Sequence, residues 1–138
     1  MRHYFLDTNV VLDFLARREP FAKAALEIFR AGLEKRAVLY VASLSFSNVY
    51  YTLRKQTNPP TARSLVANLC RLVTIVRVDA DMVQQDVHGP FADFEDGLQH
   101  AAATSVTTLA AIVTRDVRDF RPSALPILTP DQACAALA

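Results

Sequence analysis

Apolar residues along this chain alternate between short runs of strand length and longer stretches at helical spacing. Tyr4 to Leu6 is the first short run, and Val10 to Ala16 follows as a helix with Thr8 and Asn9 as candidate caps. Beyond a turn near Glu19 and Pro20, Phe21, Ala24, Ala25, Ile28, Phe29 and Leu33 recur with helical periodicity. The intervening Lys23, Glu27, Arg30, Glu34 and Lys35 lie mostly on the other side, which predicts a helix with one buried face. Val38 to Ala42 reads as a second strand, and Ser43 as the cap of a helix from about Leu44 to Gln56. Asn58-Pro59-Pro60 ends that helix, because proline disfavours helical geometry in the residue before it.

Thr61 then opens an amphipathic helix through Leu65, Val66, Leu69, Cys70 and Leu72. Thr74 to Val78 is a third strand, followed by a short helix over Ala80 to Val87 and a Gly89-Pro90 break. Asp93 begins the next helix, which runs to roughly Thr104, and Leu109 to Thr114 is the fourth strand. Pro126 to Leu128 supplies a fifth, and Thr129-Pro130 caps a terminal helix with proline in its first position. This order, strands joined by helical crossovers, predicts a three-layer α/β/α fold around a central parallel sheet of four to five strands. No repeat, low-complexity tract or linker divides it, so residues 1–138 read as one domain.

Composition narrows the class. At 138 residues and 51% hydrophobic, the chain has enough apolar surface for a proper core. Its 15 basic and 14 acidic residues give a net charge of +1, so any nucleic-acid binding needs a local patch and not a global field. Cys70 and Cys134 form neither a CxxC pair nor a disulfide framework and read as small buried hydrophobes in a reduced compartment. The N-terminus enters a strand without a signal-peptide core, and no apolar run approaches the ~20 residues that span a bilayer. These features lead us to expect a cytoplasmic protein that does not engage membranes.

The chemistry is expected where strands end. Asp7 follows an apolar strand and precedes a helix, and Asp116 ends the turn after the fourth strand. In open α/β sheets ligands gather at such junctions. If the first and fourth strands are neighbours, Asp7, Asp116 and the Asp93-Phe94-Glu95-Asp96 run share one crevice, where like charges repel unless a cation neutralises them. Oxygen ligands without histidine or cysteine favour Mg²⁺ or Mn²⁺ over zinc, and His3, His88 and His100 lack metal-ligand spacing. Plainer roles stand beside these. Asp93 serves equally as a helix cap with Glu95 and Asp96 as first-turn acids, Asp116 and Asp119 as turn residues, and Asp13 as a solvated helix residue.

Leu6-Asp7-Thr8-Asn9-Val10-Val11-Leu12, Asp93-Phe94-Glu95-Asp96-Gly97-Leu98-Gln99 and Val113-Thr114-Arg115-Asp116-Val117-Arg118-Asp119-Phe120 together resemble the PIN domain family, in order and spacing, across essentially the whole chain. In that family the acidic residues at these places hold one or two Mg²⁺ or Mn²⁺ ions and cleave RNA. Many small bacterial members are VapC-like toxins paired with an antitoxin. The resemblance implies Asp7, Asp96 and Asp116 as catalytic, metal-binding carboxylates, Thr8, Asn9 and Thr114 as the residues that orient them, and Asp119 as an accessory acid. It departs at Asn48, where the family usually has a glutamate. An amide oxygen can still ligate a hard cation, but one negative charge is lost, so metal affinity is expected to fall.

Two functions therefore stand after sequence reading. The first is a metal-dependent endoribonuclease, with RNA steered by Arg17, Arg18, Arg54, Lys55, Arg115 and Arg118, and an antitoxin as partner. The second is a PIN-like module that binds RNA or a partner protein without cleavage. A haloacid dehalogenase-type phosphatase is disfavoured, since its pattern wants a second Asp where this chain has Asn9. A homodimer is expected from the same resemblance and from the aromatic surface of Phe14, Phe21, Phe29, Phe46, Tyr50 and Tyr51.

Overall fold

A computed structural model describes residues 1–138. Its elements are β1 (Arg2–Leu6), α1 (Thr8–Leu15), α2 (Ala22–Leu33), β2 (Ala37–Ala42), α3 (Ser43–Gln56), α4 (Pro59–Leu72) and β3 (Thr74–Val76), then α5 (Ala80–Val87), α6 (Phe94–Thr104), β4 (Ala111–Val113), a 3₁₀ turn (Val117–Phe120), β5 (Ile127–Leu128) and α7 (Pro130–Leu137). All four strand pairings are parallel, in the order β3-β2-β1-β4-β5. The chain runs outward from β1 in one direction and then returns to begin again at β4. The crevice between β1 and β4 is thus the topological switch point of the sheet.

Strand side chains alternate between the two faces. Tyr4 and Leu6 of β1, Leu39 and Val41 of β2, and Ala111 and Val113 of β4 join the larger core, built with α1, α2, α3, α4 and α7. Phe5, Ala42 and Ile112 point the other way, onto Ala102, Ala103 and Phe120 in a smaller core beneath α6 and the 3₁₀ turn. This produces the three layers. Buried on both sides, the strands carry near-continuous apolar runs.

Several local signals resolve differently from the sequence expectation. Thr8 and Asn9 are not caps but the first residues of α1, and Asp7 takes the cap position without a side-chain capping bond. Ser43 is likewise the first residue of α3, and its Oγ instead accepts from the Val78 amide at 3.1 Å. α4 starts at Pro59, not at Thr61. Asn58 caps it by accepting the Thr61 amide at 2.9 Å, so the two prolines open this helix rather than merely closing the one before. Asp93 and Thr129 do cap α6 and α7, the latter in a capping box with Gln132.

Burial also corrects three side-chain expectations. Cys70 is exposed, because the buried stripe of α4 passes through Ala62 and Leu69 and leaves position 70 outside. Asp13 is 1% exposed and far from solvated, for reasons given below. Most of the aromatic surplus is absorbed by the core: Phe29 is buried and stacks on Phe14 with ring centroids 4.1 Å apart, while Phe46 and Tyr50 pack against the larger core. Phe21 and Tyr51 remain exposed. No helix is long and apolar enough to cross a membrane.

Gly97, buried on α6, allows a close approach of α5. The carboxyl of Asp86 rests where a Gly97 side chain would begin, and a Cβ there would overlap Asp86 Oδ1. Asp86 is buried and its Oδ2 has no hydrogen-bond partner. Burial, reinforced by the charge of Asp93, pushes this carboxyl above the usual range.

Candidate active site

Asp7 sits where β1 hands over to α1, directly at the switch point. Its backbone amide donates to the Val113 carbonyl at 3.0 Å, continuing the β1–β4 ladder by one bond. Its carboxylate, free of capping duty and 4% exposed, accepts from Gln99 Nε2 at 3.0 Å and from Thr114 Oγ1 at 2.7 Å. Those two donors approach from α6 and from the end of β4. Neither is cationic, so they fix the orientation of the carboxylate without neutralising it. Burial raises the Asp7 pKa, the bonds from Thr114, Gln99 and the Thr8 backbone oppose that rise, and the charge of Asp116 adds to it.

Gln99 is the residue that sequence reading missed. Fully buried, it donates to Asp7 while its Oε1 accepts from the Thr8 amide at 3.2 Å. The Thr8 hydroxyl in turn meets Ser45 Oγ at 2.7 Å, which ties α3 into the same network. Thr8 therefore acts on Asp7 through Gln99, and Thr114 acts directly. Asn9 does not orient the carboxylates: its side-chain oxygen and its carbonyl both accept from Arg18, at 3.1 and 3.3 Å. A signal for Gln99 was present, since it follows Asp96 by three residues and so shares its face of α6.

Around Asp7 opens a cleft of about 440 Å³. Its walls carry six carboxylates, from Asp7, Asp93, Glu95, Asp96, Asp116 and Asp119, and a single cationic side chain, Lys55. The candidate residues Thr8, Asn9 and Asn48 line it too. Each carboxylate has a distinct anchor. Asp96 belongs to the first turn of α6, its amide held by the Asp93 side chain at 2.9 Å, while Asp116 is placed by its own amide donating to Thr114 Oγ1 at 3.0 Å. Asp119 lies in the 3₁₀ turn, with its amide on the Asp116 carbonyl. Mutual repulsion shows in Asp96, whose pKa is pushed up to about 7 by burial and then by the charges of Asp7, Asp93, Asp119 and Glu95.

This donor set, all oxygen and short of positive charge, fits a hard divalent cation. The side chains ring the cleft without forming a ready-made cage, for no three acidic, histidine or cysteine groups are gathered tightly enough to hold one ion. Asn48 stands on α3 at the cleft wall, and its Nδ2 donates to Glu95 Oε1 at 2.6 Å.

The proposed steering residues divide. Lys55 reaches the cleft, but Arg18 and Arg115 are turned onto Asp13. Arg18 Nε lies 3.0 Å from one Asp13 oxygen and Arg115 Nε 2.8 Å from the other, which is how a carboxylate can be so deeply buried on α1. Arg115 also lies over the Phe21 ring, 3.8 Å from its centroid.

A parallel α/β sheet with a polyacidic cleft at its switch point defines the class: a three-layer α/β/α protein with carboxylates gathered at the strand ends. The particular family follows from sequence, since the PIN domain model matches residues 3–118, and the chain belongs to the PIN domain family. Solved structures agree in fold. The VapBC complex of Salmonella typhimurium bound to DNA aligns with TM-score 0.68 at 20% identity, covering 94% of this chain and 99% of that one. VapBC2 of Rickettsia felis, bound to a promoter DNA fragment, gives 0.67 at 15% identity over 92% and 98% of the two chains. VapC20 of Mycobacterium tuberculosis, described as a toxin cleaving the sarcin–ricin loop, gives 0.62 at 16% over 79% and 86%. No curated protein is similar enough in sequence to count as a relative.

Proposed function

We propose that this protein is a Mg²⁺- or Mn²⁺-dependent endoribonuclease that acts as the toxin of a toxin–antitoxin pair. The observation that carries the reading is the charge imbalance of the cleft, six carboxylates against Lys55, centred on an Asp7 that neutral donors orient without neutralising. A polyanion such as RNA cannot approach that wall unless a cation intervenes. Asp7, Asp96 and Asp116 are the residues that would hold it, with Asp119 as an accessory acid. When bound, a divalent ion supplies Lewis-acid stabilisation of the phosphate and a more acidic water.

The chain's own residues prepare for this chemistry. Gln99 and Thr114 keep Asp7 in one orientation, and Thr114 couples it to Asp116 through the Asp116 amide. Lys55 offers the one positive side chain in the cleft for a neighbouring phosphate. Without a cation, burial and the neighbouring acids push the Asp96 pKa up to about 7, and a cation that neutralises those acids would favour its carboxylate form. An antitoxin partner is supported by the VapBC complexes that share this fold. Self-association, with Phe21 and Tyr51 as exposed aromatics, completes the proposal.

A second reading, a PIN-like module that binds RNA or a partner without cleavage, is favoured by one observation: Asn48 replaces a family glutamate and spends its amide on Glu95. Purified protein incubated with RNA, with Mn²⁺ or with EDTA, separates the two. Cleavage that requires Mn²⁺ and disappears in Asp7→Asn supports the enzyme. Binding of RNA without cleavage at any metal concentration supports the module.

A further inference from the structure

Asn48 and Glu95 come from opposite walls of the cleft, one from the middle of α3 and the other from the first turn of α6. Their 2.6 Å bond joins a neutral donor to a carboxylate, the stronger kind of hydrogen bond. The partner dictates how the amide is turned: only the NH₂ end can face a carboxylate, so Asn48 here is a donor and its oxygen points elsewhere. Glu95 has no lysine or arginine partner, and Asn48 is its one hydrogen-bonding side chain.

We infer that Asn48 and Glu95 form one unit in which Asn48 positions Glu95, and Glu95 supplies the cation site with the carboxylate that α3 does not. The inference rests on the cation-site reading above and adds a residue to it. Charge counting supports it, because α3 brings no carboxylate of its own to the cleft and Glu95 brings one from α6 across a single hydrogen bond. Residue type supports it as well: a glutamate at position 48 would bring two carboxylates face to face, whereas an asparagine makes the facing position favourable for Glu95. Glu95 also lines the same cleft as Asp7, Asp96 and Asp116, next to Asp96 on the first turn of α6. A first-turn acid acting only on the helix dipole would need no partner on α3.

Calorimetric Mn²⁺ titrations test this without reference to activity. The proteins are the native chain, Glu95→Gln, Asn48→Ala, the exchange Asn48→Glu/Glu95→Gln, and Asp7→Asn, each checked for native circular dichroism. Affinity is expected to fall about tenfold in Glu95→Gln, since ligand charge count tunes such sites. It falls by less in Asn48→Ala, and returns to within about threefold of native in the exchange, which rebuilds the amide–carboxylate pair with its members swapped. Native affinity in Glu95→Gln, with binding lost in Asp7→Asn, overturns the inference and leaves the cation site standing. Failure of the exchange to recover affinity rejects the paired unit, and absence of Mn²⁺ binding by the native chain rejects both the site and the inference.

Discussion

Asp7 takes the cap position of the short helix α1 and Asp13 lies within it, and the two are almost equally buried, yet their surroundings are opposite. Asp13 has two arginines, Arg115 on both of its oxygens and Arg18 on one of them, and its charge is compensated where it stands. Asp7 has Gln99 and Thr114, which fix its geometry and leave its charge in place. One buried carboxylate is a strut that ties α1 to the turn after it and to the end of β4. The other is a held charge, oriented by neutral donors and left uncompensated. Burial therefore does not separate these two acids; the formal charge of their hydrogen-bond donors does.

The largest test of that contrast is a pair of isosteric substitutions. Asp13→Asn leaves Arg18 and Arg115 facing a neutral amide, and breaking a buried ion pair costs about 3–5 kcal/mol, here toward the lower end because both arginines are partly exposed. Asp7→Asn is expected to leave stability unchanged or to raise it by up to about 1 kcal/mol, because it removes a desolvated charge, while abolishing Mn²⁺ binding. Urea unfolding of the two variants beside the native chain measures the difference. Equal destabilisation would collapse the distinction between strut and held charge.

A smaller effect follows from Thr114, which serves Asp7 and Asp116 at once. Thr114→Val deletes both bonds while keeping the shape, and should cost about 1 kcal/mol of stability together with several-fold weaker Mn²⁺ binding. Thr114→Ser should recover most of the affinity. If valine binds as tightly as threonine, the orientation of Asp7 is set by Gln99 alone.

The smallest expected effect is a pH dependence of stability. Asp7 and Asp96 both have raised pKa values in the folded chain, so the native state keeps their protons longer than the unfolded one does. Their contribution is greatest below the ordinary carboxylate value of about 4, and is lost as pH rises through about 7, the value for Asp96. In EDTA, the melting temperature should decline across that window by an amount that solvent screening of the partly exposed Asp96 keeps modest. Saturating Mn²⁺ should remove the decline, and Asp96→Asn should flatten it. A decline that persists unchanged in Asp96→Asn would assign it elsewhere.

How much of this was legible in the sequence differs between the two acids. The strand–Asp7–helix junction was readable, because an apolar run meeting an amphipathic helix fixes where the chain turns, and the β4–Asp116 junction follows the same logic. The alternation of strands and helices likewise carried the parallel sheet. Asp13 was misread because its neutralising partners are Arg18, in an irregular turn, and Arg115, distant by 102 positions, and no periodicity links them. Gln99 looked like an ordinary polar helix residue, and only the packing of α6 over the switch point turned it inward. The caps failed where proline and serine allowed two readings, as at Asn58 and Ser43, since propensity does not say whether a residue precedes a helix or opens it.

The fit between Gly97 and Asp86 has a consequence for how this sequence can drift. Replacing a helical glycine by alanine ordinarily stabilises by about 1 kcal/mol, and Gly97 lies beside Asp96, where a stiffer α6 looks attractive to a protein engineer. Here the new methyl group would collide with the Asp86 carboxyl, so the same change made first should loosen α5 from α6. Made after Asp86→Ala, which removes a buried carboxyl with an unpartnered oxygen, it should find room. The two positions are therefore expected to be epistatic, with the cost of growth at position 97 set by the side chain at position 86.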